Sequence, residues 1–157
     1  MTFGPLVIPP TAGCSSRPSD YSLQVVSLSV ALRLVQHPRF GGWLAGLPSA
    51  IAVATADGVT YLCEHGRGAV LPDVRHRIQT SQHYPDMSEV RVDKIDDGRR
   101  YAVRVLTCFV DDDRTLLVCV GGDKEGYEAR TGRDWYDDYV PVADHVVVRY
   151  LAKGGRR

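Results

Sequence analysis

The stretch from Ser88 to Val120 constrains the fold more than any other part of this chain. Through Arg99–Val110 and Arg114–Val120, apolar residues occupy both odd and even positions. A strand with one solvated face alternates; strands apolar on both faces belong in the middle of a sheet covered on both sides. Asp97-Gly98 offers hairpin turn chemistry between a first strand over Ser88–Lys94 and the second. Asp111–Asp113 form the next turn. Three antiparallel strands in a meander are therefore expected.

What precedes the meander reads as one strand and two helices. From Leu28, alternation places Leu28, Val30, Leu32 and Leu34 on one face, a half-buried strand. Phe40, Trp43, Leu44 and Leu47 form a helical stripe. Pro48 suits the first turn of a second helix, with Ile51, Thr55, Val59 and Leu62 inward and Gly66 as its stop. Residues 67–86 are polar and read as irregular, as do the residues between the glycines at 121–122 and Asp134. In Asp134–Leu151, valines favour a strand, but Ala143, Val147 and Leu151 share a helical face. The reading preferred is a helix interrupted before Pro141. The expected fold is α+β: an N-terminal strand, two helices, a three-stranded antiparallel meander in a four-stranded sheet, and a C-terminal helix.

Residues 1–22, rich in Pro, Ser, Gly and Thr, are expected to be a flexible tail, 23–152 the domain, and 153–157 a basic tail. The 19 basic and 19 acidic residues balance, against the positive excess usual in a free-standing nucleic-acid binder. All but Lys94, Lys124 and Lys153 of the cations are arginines, which offer a bidentate fork to phosphate. Cys14, Cys63, Cys108 and Cys119 show no metal or disulfide spacing, and Cys108 and Cys119 read as buried hydrophobes. No metal site and no cofactor are expected. No apolar run has the length of a membrane span and the N-terminus makes a poor signal peptide, so a reduced, cytoplasmic protein is expected.

Trp43-Leu44 ahead of a Gly-then-Pro loop, the strand Met87-Ser88-Glu89-Val90-Arg91, and the ordered series Val103-Arg104-Val105-Leu106, GGDK, Trp135-Tyr136, Pro-x-Ala-Asp and Tyr150-Leu151 carry a resemblance. Together they resemble the RelE/ParE superfamily of bacterial toxins, and within it a HigB-like actinobacterial branch. The match runs from about His37 to Leu151; Val90 stands where the family has Leu, and Glu125–Arg133 reads as an insert. The resemblance implies a type II toxin that cuts messenger RNA without metal, on the ribosome, and is neutralised by a small helix-turn-helix antitoxin of HigA type. Two alternatives share the scaffold: a ParE-like toxin that binds gyrase, and an inactive relic.

Such cleavage needs the strand positioned, the extra phosphate charge stabilised, and a base and an acid supplied. Arg104 matches the arginine of the family's RVLF strand and sits in an otherwise apolar run, where it needs a cleft or an ion pair to justify its burial. Arg91 matches the family's "ELR" strand; its competing role is an ion pair with Glu89 or Asp93. Lys124 follows the glycines in a strand-end loop, where Asp123 or Glu125 could instead hold it. Tyr136 could stack on a base or move a proton, whereas Trp135 reads as core. His83, read as a lone exposed histidine before the first central strand, is the histidine best placed as a base. Arg75, Arg77, Arg100, Arg130 and Arg133 are candidates for RNA contact, with a solvated face as the bland alternative. Asp144 reads as a packing or helix-start residue.

Overall fold

The structure, a computed structural model, describes residues 31–156. The expected tail 1–22 and the start of the strand at Leu28 lie outside the described residues. Within them the order is β1 (Arg33–Gln36), α1 (Pro38–Ala45), α2 (Ser49–His65), a 3-10 turn, β2 (Val74–Arg75), β3 (Met87–Asp96), β4 (Arg99–Val110), β5 (Thr115–Asp123), α3 (Lys124–Thr131) and α4 (Trp135–Ala152). The sheet has five strands, not four, in the order β1-β5-β4-β3-β2. β1 runs parallel to β5 and the other pairs are antiparallel.

Three expectations need correction. The irregular 67–86 segment contributes β2, a two-residue edge whose brevity gives no alternation to detect. The polar stretch after the glycines holds α3; its mostly polar sequence lacks an apolar stripe, and none of its residues is fully buried. α4 is continuous through Pro141. Proline there removes one N–H from the ladder, a loss the helix absorbs because Val140, Ala143 and Val147 anchor it on the sheet.

The central strands are covered on both sides as their pattern demands. One layer joins α1 and α2 to the sheet through Phe40, Ile51, Leu62, Val90, Val105 and Leu116. The other packs α4 on Met87, Leu106, Cys108, Leu117 and Cys119 through Trp135, Ala143 and Val147. Each buried Val, Leu, Ile, Phe or Met among these contributes roughly 1.5–3 kcal/mol relative to exposure. Gly66 closes α2 at φ 54°, and the Asp97-Gly98 turn has positive φ at both residues. That is the conformation a two-residue hairpin requires.

A register shift opposite Leu106/Thr107 rephases β5 before its two glycines. As a result Gly121 faces Trp43 in one layer and Gly122 faces Trp135 in the other. A Cβ on Gly121 would stand 2.2 Å from the Trp43 ring, and one on Gly122 would stand 2.4 Å from Trp135 Nε1. Each glycine seats a tryptophan, which explains the pair by packing. Asp123, next in the chain, accepts from Ala102 N at 3.1 Å and Arg99 Nη2 at 2.9 Å, fixing the strand end from which α3 starts.

Candidate functional site

α4 packs mainly on β5 and β4 and reaches β3 only near its start, at Met87 and Glu89, so the corner of its layer over Arg91 and Asp93 stays open. The inward-facing positions there are charged: Arg75 on β2, Glu89, Arg91 and Asp93 on β3, and Arg104 on β4. Register makes Arg75 the partner of Glu89 and sets Arg91 directly opposite Arg104. Like charges in facing positions destabilise a sheet unless acids offset them. Here the acids lie on either side along β3. Glu89, wholly buried, is approached by Arg75 at 3.4 Å and Arg91 at 3.7 Å. Asp93 accepts from Arg104 Nη1 at 2.9 Å.

Arg104 is 6% exposed, and Nη1 also donates to Val103 O at 2.8 Å, while Nε has no hydrogen-bond partner. Burial opposes its charge, but the Asp93 hydrogen bond and the carboxylates of Asp93 and Glu89 outweigh it and raise the pKa. The guanidinium is therefore a fixed cation that lines the open corner. Arg91, Arg100 and Lys124 line the same hollow, of about 460 Å³, with Asp93 and Glu128. Lys124 does not sit in a loop as expected: it opens α3, with Nζ 3.5 Å from Glu128.

Tyr136 lies between this hollow and a second, which it lines. Its ring lies between the Arg75 guanidinium, 5.1 Å from the centroid, and the Lys124 ammonium at 5.4 Å. On its other side a hollow of about 510 Å³ is lined by Arg75, His76, Arg77, Thr80 and Asp137. Asp134 caps α4 by accepting from Tyr136 N at 2.8 Å, which fixes where the ring starts. Burial, then the Glu89 carboxylate, push the phenol up to about 12, against the opposing pull of Arg75 and Arg104. At neutral pH Tyr136 is a proton donor.

The structure thus places Arg91, Arg100, Arg104 and Lys124 around one hollow and Arg75, Arg77 and Tyr136 around its neighbour, the two forming a groove on either side of the Tyr136 ring. Arg77 donates to Tyr84 Oη at 2.7 Å. Arg130 and Arg133 are placed elsewhere: Arg130 lies over the Tyr127 ring and Arg133 pairs with Asp138. His83 is a correction. It is buried, not exposed, lines neither hollow, and leaves Nε2 without a hydrogen-bond partner. The loop holding it is tied down by Asp144, which accepts from Ser81 Oγ at 2.5 Å and Gln82 N at 3.0 Å.

Glu89 and His76 were not singled out by sequence as members of the site. Glu89 carried a detectable signal, an acid in the inward register of Met87 on a strand. His76 carried none: its ring bonds Ser88 Oγ at 2.8 Å and Ala69 O at 2.7 Å, partners set by the fold.

No family model matches this chain, and no curated protein matches it. Among solved structures it is similar to the Escherichia coli toxin RelE, determined as a double arginine-to-alanine mutant in the free state. The two share 15% identity over 65% of this chain and 93% of that one, with a TM-score of 0.44. At that level the site has to be read from its own residues.

Proposed function

We propose that this protein is the toxin of a type II toxin–antitoxin pair, a metal-independent endoribonuclease that cuts messenger RNA on the ribosome in the cytoplasm. The observation that carries the reading is the groove itself, where Arg91, Arg104 and Lys124 converge beside a phenol held protonated. In this scheme the ribose 2′-hydroxyl gives up its proton to a solvent water as its oxygen bonds to the adjacent phosphorus, and the bond to the 5′-oxygen breaks. The three cations bear the extra negative charge of the phosphorane, and Tyr136 gives its proton to the departing oxygen. The Tyr136 phenolate left after proton donation is reprotonated from solvent. Arg75 and Arg100 hold flanking phosphates. A helix-turn-helix antitoxin of HigA type would keep the protein silent.

The ParE-like reading, in which the same scaffold binds gyrase, is favoured by the neutral net charge. Inducible expression, with and without the product of the adjacent gene, tests the pair. The expected result is growth arrest, relieved by co-expression, with new 5′ ends in messenger RNA. Arrest with intact message and blocked supercoiling would shift the assignment to the gyrase reading; no arrest at all in the native host would remove both.

A further inference from the structure

A hollow of about 590 Å³ lies where the turn after β4 meets β1 and the segment beyond α4, and its charge is more one-sided than the groove's. Four cations line it, Arg33, Arg114, Lys153 and Arg156, against the single carboxylate of Asp111. The hollow around Arg104 sets four cations, Arg91, Arg100, Arg104 and Lys124, against the three acids Asp93, Glu125 and Glu128. The net lining charge is therefore +3 in the first and +1 in the second.

Asp111 itself is occupied. Its Oδ2 accepts from Tyr150 Oη at 2.6 Å, its Oδ1 accepts from Arg156 N at 2.8 Å, and its own N donates to Arg156 O at 2.7 Å. These bonds fasten the chain after α4 to the turn and so fix the backbone that presents the cations. Among the described residues, Arg33, Lys153 and Arg156 form no side-chain ion pair within 4.0 Å. Arg114 pairs with the exposed Asp112 at 3.7 Å and donates from Nε to Asp111 O at 3.2 Å. Cations gathered at one end of a neutral chain repel one another, a cost offset when an anion settles among them.

We propose that this hollow binds the phosphate backbone of RNA at a distance from the groove, so that one strand is gripped at two places. From Arg104 to Val110, the end of β4, is six residues, roughly 20 Å at strand rise, and Asp111 lies one residue beyond. A polyanion spans that distance, whereas a free phosphate does not. The lining holds no aliphatic side chain, and the hydroxyl of its one aromatic ring, Tyr150, is committed to Asp111, so what it offers a partner is mainly charge. Backbone phosphates need only charge and donors, and three of the four cations are arginines. The identity of the polyanion rests on the ribonuclease reading; the existence of the anion site does not.

The test is fluorescence anisotropy with a labelled 2′-O-methyl oligoribonucleotide, which cannot be cut, titrated with the full chain across a salt series. The wild type is compared with the triple variant Arg33→Ala, Lys153→Ala, Arg156→Ala, after matched thermal melts. Each cation removed from a phosphate should reduce the slope of log K against log salt by about 0.7, hence about two units for the three substitutions together. Measured from 1 M salt, that is roughly a hundredfold weaker binding at 0.1 M. Unchanged affinity and slope would overturn the proposal, as would a wild type that does not bind the oligonucleotide. Unchanged RNA binding with weakened affinity for the adjacent gene's product would overturn it in favour of an acidic protein partner. Message cleavage is scored separately. Its absence in a wild type whose RNA binding depends on the three cations sinks the ribonuclease reading and leaves the site standing.

Discussion

Removing Arg104 separates chemistry from stability because of what it leaves behind. Its partner Asp93 is 48% exposed at the side chain and can rehydrate, so alanine strands no buried carboxylate there. The destabilisation should fall below the ~3–5 kcal/mol typical of breaking a buried pair. Loss of one donor to the transition state costs about 10²–10³ in rate. Arg104→Ala should accordingly abolish cleavage while melting within a few degrees of wild type, and Arg104→Lys should recover only part, lacking the fork. A variant that melts cold yet cuts normally would reduce Arg104 to a structural ion-pair member. Tyr136 makes a different statement. Its folded pKa, about 12, exceeds the ordinary tyrosine value near 10, so the stability it contributes is complete below pH ~10 and disappears as pH climbs through 12. A difference absorbance titration of wild type against Tyr136→Phe should isolate a phenol ionising near 12, and the variant should lose about 10²–10⁴ in cleavage. A difference midpoint near 10 would remove the case for a buried acid. Of these residues, Arg104, Arg91, Lys124 and Tyr136 were legible because an arginine in an apolar strand and a motif residue stand out. Their convergence was not, since it depends on α4 leaving the Arg91–Asp93 part of β3 uncovered.

Among the elements, β5 shows how a sequence signal can be right in place and incomplete in reason. Its glycine pair marks the family resemblance, but the need for it comes from Trp43 and Trp135, one in each layer. Trp135 is fully buried and cannot swing away, whereas Trp43 is only partly buried. Gly122→Ala should therefore overpack the α4 layer at a cost of about 1–3 kcal/mol, lowering Tm by several degrees, with Gly121→Ala milder. Thermal melts of the two variants check the order; equal shifts would show the tryptophans to be equally free. Apolar runs without alternation identified the long central strands, because both of their faces are packed. β2 and α3 escaped detection for the opposite reason, one being too short for a period and the other having no buried face. The uninterrupted α4 was missed because a proline's local penalty was weighed without the sheet beneath it.

Across the whole molecule, the two layers divide the work: α1 and α2 pack on one face of the sheet, while the groove residues lie on the other face, on α3 and α4 and, for Arg77, in the loop after β2. The balanced charge count hid this, since a total cannot report that cations cluster at two ends of the central strands. One consequence of the topology concerns the order in which the chain can assemble. The β3–β4–β5 meander joins neighbours through tight turns and can zip locally. The parallel pairing of β1 with β5 sets Arg33 against Thr115, so it must wait until most of the described chain has been collected. Pairings between such distant segments incur their loop-closure entropy before they return any stabilisation, and they dominate folding times. During synthesis, Thr115 emerges long after Arg33. The edge on which Arg33 stands is therefore the last border of the sheet to close, and until it does the outer side of β5 is an unpaired strand open to other chains.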